Sequence, residues 1–184
     1  MVSNFIKYQS FLLVSIPPLL ITGPFFSDFA LSLLVICTTF YIIKEKQYQY
    51  FQNKFIFLFS IFYFYILLNS LIINVSLDSI KISFFYFRFG LFAICIWYLL
   101  DQDETLLKKI FISMCICFII LIIDGFIQFF FHSNILGFKI SETGRISSFF
   151  NTELVLGSYL SRLFPIFFGL SILLFNKKKK YLIL

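Results

Sequence analysis

Apolar stretches of about 20 residues, parted by short clusters of Lys, Glu, Gln, Asn and Asp, run the length of the chain. That length suits an α-helix crossing a hydrocarbon core about 30 Å thick. The strands of a membrane barrel would instead alternate in polarity over about 10 residues, and no such pattern is present. The first predicted span covers residues 11–21, kinked at Pro17-Pro18 and closed by Gly23-Pro24. It reads as a retained helix rather than a cleaved leader, because no small-residue cleavage site follows and a double proline interrupts the run. The second span, capped by Ser27 or Asp28, extends to about residue 43. The third takes 55–73 and carries an unbroken aromatic face. A polar connection over 74–83 leads to the fourth span, 84–100.

Asp101 and Glu104 have capping-box spacing for the next helix, whose apolar part starts after Lys108-Lys109 and ends near residue 131. The sixth span runs from its cap at Asn151 to residue 175, with Glu153 in its first turn and a kink at or before Pro165. After Lys177 to Lys180, the residues Tyr181-Leu182-Ile183-Leu184 read as the opening of a seventh span. The predicted fold is therefore all-α: a polytopic transmembrane helix bundle of about six spans plus the start of a seventh, one membrane domain over residues 1–184.

Charge sets the orientation. Of the fifteen Lys and Arg residues, ten fall on one side of the predicted spans (Lys7, Lys44, Lys46, Lys54, Lys108, Lys109 and Lys177 to Lys180). The side richer in basic residues is cytoplasmic, which places the N-terminus there. All three arginines then lie on the external side. Composition agrees with the membrane reading: 60% of residues are hydrophobic, 13% are charged and the mean hydropathy is +0.96, outside the range of soluble domains. The excess of Phe and of Lys over Arg is the mark of an AT-rich coding sequence. In such a sequence Arg is kept mainly where a planar, always-charged bidentate donor is wanted.

The four cysteines lie within apolar spans and form no CxxC pair, so they read as core residues. With a single His and no ligand cluster, no metal site is expected.

The residues too polar or too small for a membrane wall gather between Asp124 and Gly169. Asp124, Gln128 and His132 stand at i, i+4 and i+8, which puts a carboxylate, an amide and an imidazole on one helical face. For Asp124 two readings stand, a functional intramembrane acid or a hydrogen bond to Gln128 or to a serine on a neighbouring helix. His132 reads either as an interfacial, structural residue or as a site residue. Gly157, Ser161, Pro165 and Gly169 make a stripe of small residues that allows close helix approach. Arg162, about three turns into a helix starting at Asn151, needs a polar cavity or a partner. Arg145 sits in the loop, and Arg88 about one turn inside the fourth span, where it can snorkel to the interface. Three guanidiniums on one side of a membrane suit a phosphate or pyrophosphate. The candidate substrate-binding residues are thus Arg88, Arg145, Arg162, Asp124 and His132.

Four segments in order carry a resemblance: G-P-F-x-S-D at Gly23 to Asp28, S-x-x-x-F-R-F-x-x-F around Ser83, Arg88 and Phe92, D-x-x-x-Q at Asp124 and Gln128, and R-I-S-S-F-F-N-T-E-L-V-L-G-S-Y-L from Arg145. Together they are similar to the N-terminal half of the O-antigen ligase and O-antigen polymerase family of bacterial cell-envelope proteins. The resemblance implies a multi-pass protein of the bacterial inner membrane. It would transfer glycan carried on undecaprenyl pyrophosphate at the periplasmic face, without metal, nucleotide or other cofactor and with no nucleic acid among its partners. It further implies that Arg88, Arg145 and Arg162 hold the pyrophosphate, where fixed guanidiniums stabilise the departing charge. Family members have more helices and a large external loop in their C-terminal half, so the chain reads as the N-terminal part of a larger protein and as inactive alone. The alternative reading is a transporter or flippase subunit in which Asp124 and the arginines line a path for an anionic substrate. A third is a small structural membrane protein.

Overall fold

The computed structural model describes residues 4–73, 75–141, 144–150 and 153–175. Seven α-helices hold most of them: α1 Asn4–Thr22, α2 Pro24–Lys44, α3 Lys54–Ile72, α4 Leu77–Phe85, α5 Phe87–Gln102, α6 Leu106–Phe131 and α7 Leu156–Phe175. Among the described residues six helical segments are long and apolar enough to cross a membrane, with α4 and α5 counting together as one span, Leu77–Gln102. The fold is all-α, as the length of the apolar stretches required.

Several boundaries differ from the sequence expectation, each for a local reason. The second span starts at Pro24 rather than at a Ser27 or Asp28 cap, because proline has no N–H to leave unsatisfied at the first helical position. Gly23 makes the turn between α1 and α2 with φ +126°, a conformation closed to other residues. Ser27 lies inside the first turn, donating to the carbonyls of Gly23 and Pro24 at 3.3 and 3.0 Å. Most of the expected polar connection at 74–83 is helical: Ser76 caps α4 by accepting from Ser79 N at 3.1 Å, and only a tightened turn at Tyr86 separates α4 from α5. The capping box before α6 does not form. Asp101 belongs to α5, and the residue preceding α6 is Thr105.

By compactness the chain falls into two units, one of Met1–Leu13 and Phe29–Glu104, the other of Val14–Asp28 and Thr105–Leu184. In the first, α1 meets α2 through the stacked rings of Phe5 and Tyr41, 4.4 Å apart, and the Thr38 hydroxyl donates to the buried Gln9 amide oxygen at 3.4 Å. Cys95 on α5 sits within 3.7 Å of the Thr39 hydroxyl of α2. Gly90 lets α5 close onto α3, since a Cβ there would overlap the Phe59 ring. The loop before α3 is tied to the end of α5 by the Tyr50 hydroxyl, which donates to Asp101 Oδ2 at 3.0 Å, while the Tyr50 ring meets those of Trp97 and Tyr98 edge-on.

In the second unit α6 and α7 pack through apolar stripes: Leu107, Ile110, Phe111, Met114 and Phe118 against Tyr159, Leu160, Leu163, Phe167 and Leu170. The rings of Phe111 and Phe167 stack at 5.0 Å. Residues on α6 buried in protein recur at Met114, Cys117, Phe118, Leu121, Asp124, Gly125 and Gln128, whereas Ile116, Ile119, Ile120, Ile123, Phe126 and Phe130 are exposed. Polar groups therefore face protein and Ile/Phe face outward, the inverse of a soluble helix, as a lipid surround demands.

The double proline in α1 is accommodated in the same unit. Pro18 cannot donate to the carbonyl of Val14, and the Ser113 hydroxyl of α6 does so instead at 2.8 Å. The Tyr159 hydroxyl of α7 donates to Pro17 O at 2.9 Å.

Candidate functional site

At 26 residues, α6 is about 39 Å long, more than a hydrocarbon core needs, and it ends in the loop that sequence analysis singled out. It stops because His132 turns left-handed at φ +58°, a conformation that His tolerates better than most residues. The loop then folds back on itself. Ile140 N donates to His132 O at 3.1 Å, Ser133 pairs with Lys139, and Asn134 N and Phe138 O close the tip at 2.9 Å. Asn134 Oδ1 also accepts from Phe138 N at 2.7 Å, and Gly137 supplies the positive φ the turn requires. A second turn follows: Ser141 Oγ accepts from Arg145 N at 3.0 Å and donates to Arg145 O at 3.1 Å.

Both limbs of this loop are gripped by α6. Asp124 and Gln128 lie one turn apart on its protein-facing side, and both are fully buried. Asp124 Oδ1 accepts from Ile135 N at 3.0 Å, while Oδ2 accepts from the Ser148 hydroxyl at 2.6 Å and from Asn134 Nδ2 at 3.4 Å. Gln128 Oε1 accepts from Ser147 N and Ser148 N at 3.0 and 2.7 Å, and its Nε2 donates to Phe138 O at 3.2 Å. Asn134 Nδ2 closes the ring by donating to Ser148 O at 2.9 Å. An unpartnered Asp at mid-helix costs about 3 kcal/mol in membrane insertion, and here one backbone N–H and two side chains of the loop supply its donors. Ser148, buried and held at φ +52°, keeps that uncommon backbone because Asp124 and Gln128 fix both its hydroxyl and its N–H.

The five candidate residues differ in their settings. Asp124 is enclosed by the loop and presents no surface of its own, so its partners are the loop donors rather than a group on a neighbouring helix. His132 does not share its face at i+8, because the helix has ended; its side chain is exposed beyond the terminus. Arg145 is exposed on the loop, with Lys139 exposed on the preceding limb. Arg162 is also exposed, but in the second turn of α7 rather than the third, since α7 begins at Leu156. Glu153 precedes that helix instead of lying in its first turn, donating N–H to Phe150 O at 3.0 Å, and the expected cap Asn151 lies outside the described residues. Arg88 belongs to the first unit, half-buried, with its guanidinium 5.1 Å from the Phe89 ring centre. Among the described residues none lies within 4 Å of where a side chain would begin at Gly157 or Gly169 of the small-residue stripe of α7.

Asn134, Ser147 and Ser148 went unrecognised in the sequence. Asn134 three residues before Gly137 is an Asx-turn signal, but nothing in the spacing of the two serines ties them to α6. Among the described residues no group of three His, Cys, Asp or Glu side chains comes together, and all four cysteines are free thiols.

An all-α, multi-pass membrane protein with a loop locked onto the end of one span is the class these features define. No family model, curated protein or solved structure matches the chain.

Proposed function

We propose that the protein takes part in assembling cell-envelope polysaccharide, and that its 132–150 loop recognises the pyrophosphate of an undecaprenyl-linked glycan at the external face of the bacterial inner membrane. What supports the reading is the anchoring of the described limbs of this loop. A buried carboxylate, amide and Asn side chain hold both of its limbs, so the exposed Arg145 is carried on a fixed backbone rather than a wandering one. A preorganised guanidinium binds a developing phosphate charge without reorganising when that charge appears. Lys139, exposed on the same loop, and Arg162, exposed early in α7, add cations of the same unit. In this reading Asp124 is a positioning residue, and the bidentate fork of Arg145 accounts for an arginine where the chain otherwise favours lysine.

The test is binding by the intact chain in lipid nanodiscs. Undecaprenyl pyrophosphate should bind at least tenfold more tightly than undecaprenol, and Arg145→Ala should remove most of that difference while Arg145→Lys keeps part of it. Equal binding of the pyrophosphate and the alcohol, or wild-type selectivity in both Arg145→Ala and Arg162→Ala, refutes the proposal.

A further inference from the structure

In the first unit, α3 and α5 leave an apolar trough between them. One part, about 380 Å³, is lined by Asn53, Phe55, Ala93, Ile94 and Trp97. A second, about 180 Å³, shares Phe55 and Ile94 and continues past Phe59, Gly90 and Tyr63. From Asn53 to Tyr63 the trough follows ten residues of α3, about 15 Å, which is half of a hydrocarbon core about 30 Å thick and therefore the depth of one lipid leaflet. Its floor includes the Phe59 ring, which lies against Gly90 in the space a side chain there would take.

The mouth of the trough is polar and fixed. Asn53 is held by donating to Tyr50 O at 3.0 Å and accepting from Ile56 N at 3.0 Å. The Tyr50 hydroxyl in turn bonds Asp101 Oδ2, one turn beyond Trp97 on α5. This relay brings Lys54, the exposed first residue of α3, and Asp101, exposed near the end of α5, to the same end of the trough. Around them Lys44, Glu45, Lys46 and Glu104 are exposed with both signs of charge. A mouth of mixed charge favours a zwitterion over a simple anion. Trp97 beside it is the kind of residue that settles at a membrane–water boundary.

We propose that this trough is a phospholipid site: it takes one acyl chain of an aminophospholipid, whose phosphate lies at Lys54 and whose primary ammonium lies at Asp101. The inference rests on the membrane-spanning fold and the first unit alone, and is independent of the role of the 132–150 loop.

Trp97 is the chain's single tryptophan and is 45% exposed, so it reports on the trough directly. The full chain is reconstituted in phosphatidylcholine vesicles, and brominated phosphatidylethanolamine, phosphatidylcholine or phosphatidylglycerol is added in increasing fraction while Trp97 fluorescence is read. Brominated phosphatidylethanolamine should reach half-maximal quenching at a mole fraction at least threefold below that of phosphatidylcholine. Ala93→Phe, which fills the cleft, and the surface variant Lys54→Gln should each reduce that ratio toward one. Three lipids quenching alike would mean ordinary lipid contact and overturn the site. Preference for phosphatidylglycerol would overturn the head-group assignment, and no quenching by any of them would mean that protein covers the trough.

Discussion

Removing the Asp124 carboxylate tests the account of the loop most directly. In Asp124→Ala the Ile135 N–H loses its acceptor at 3.0 Å, the Ser148 hydroxyl loses its acceptor at 2.6 Å, and Asn134 Nδ2 keeps only Ser148 O. A buried donor left unsatisfied costs about 1–3 kcal/mol. Ser148 recovers part of its loss by turning to Leu121 O, already 3.5 Å away. The total is then roughly 3 kcal/mol of local stability, which at 1.4 kcal/mol per factor of ten is about a hundredfold in the opening equilibrium of the loop. Asp124→Asn keeps one acceptor oxygen and should cost about 1 kcal/mol, because its new N–H groups face Asn134 Nδ2 or must be met by the Ser148 oxygen.

The assay is hydrogen exchange by mass spectrometry on the protein in nanodiscs, following peptides that contain Ile135, Ser147 and Ser148, with tryptic cleavage after the exposed Lys139 and Arg145 as a second readout. Exchange should accelerate in the order wild type, Asn, Ala, while peptides from α3 and α5 stay unchanged. Unaltered protection of those loop amides in Asp124→Ala would show that the carboxylate does not hold the loop, and equal acceleration in the Asn and Ala variants would show that the charge rather than its acceptors matters.

Three further perturbations probe the packing. Ser113→Ala leaves Val14 O without the donor that replaces the missing proline N–H, and should lower stability by about 1 kcal/mol; Pro18→Ala in the same chain restores the backbone donor and should recover most of the loss in denaturant titration. Gly90→Val pushes a side chain into the Phe59 ring and should cost about 2 kcal/mol, with partial recovery on adding Phe59→Ala; an unchanged melting temperature for the single variant would disprove the close approach of α3 and α5. Burial, and then the Asp101 carboxylate, raise the Tyr50 phenol above its ordinary value of 10.0. Its contribution is therefore complete below about pH 10 and fades as the pH climbs toward the higher folded value, so the melting temperature of wild type should fall more steeply than that of Tyr50→Phe between pH 10 and 11.5.

The sequence by itself determined the spans, because a hydrocarbon core fixes how long an apolar helix must be and backbone polar groups inside it leave no choice but helix. It also determined that Asp124 and Gln128 share a face, since 3.6 residues per turn requires it. Ends were less legible. The end of α6 near residue 131 was legible from the apolar run, but the starts of α2 at Pro24 and of α7 at Leu156 were not, and the helical character of Leu77–Phe85 was masked by its polar residues. Only the tertiary structure decided what the polar residues serve. The partners of Asp124 and Gln128 are the N–H groups of Ile135, Ser147 and Ser148, the carbonyl of Phe138 and the side chains of Asn134, Ser147 and Ser148. Every residue but proline carries an N–H, so no residue type announces which of them a buried carboxylate will bind. That pairing is set when the loop folds back over the helix end, and it leaves Arg145 on the surface and Asp124 beneath it.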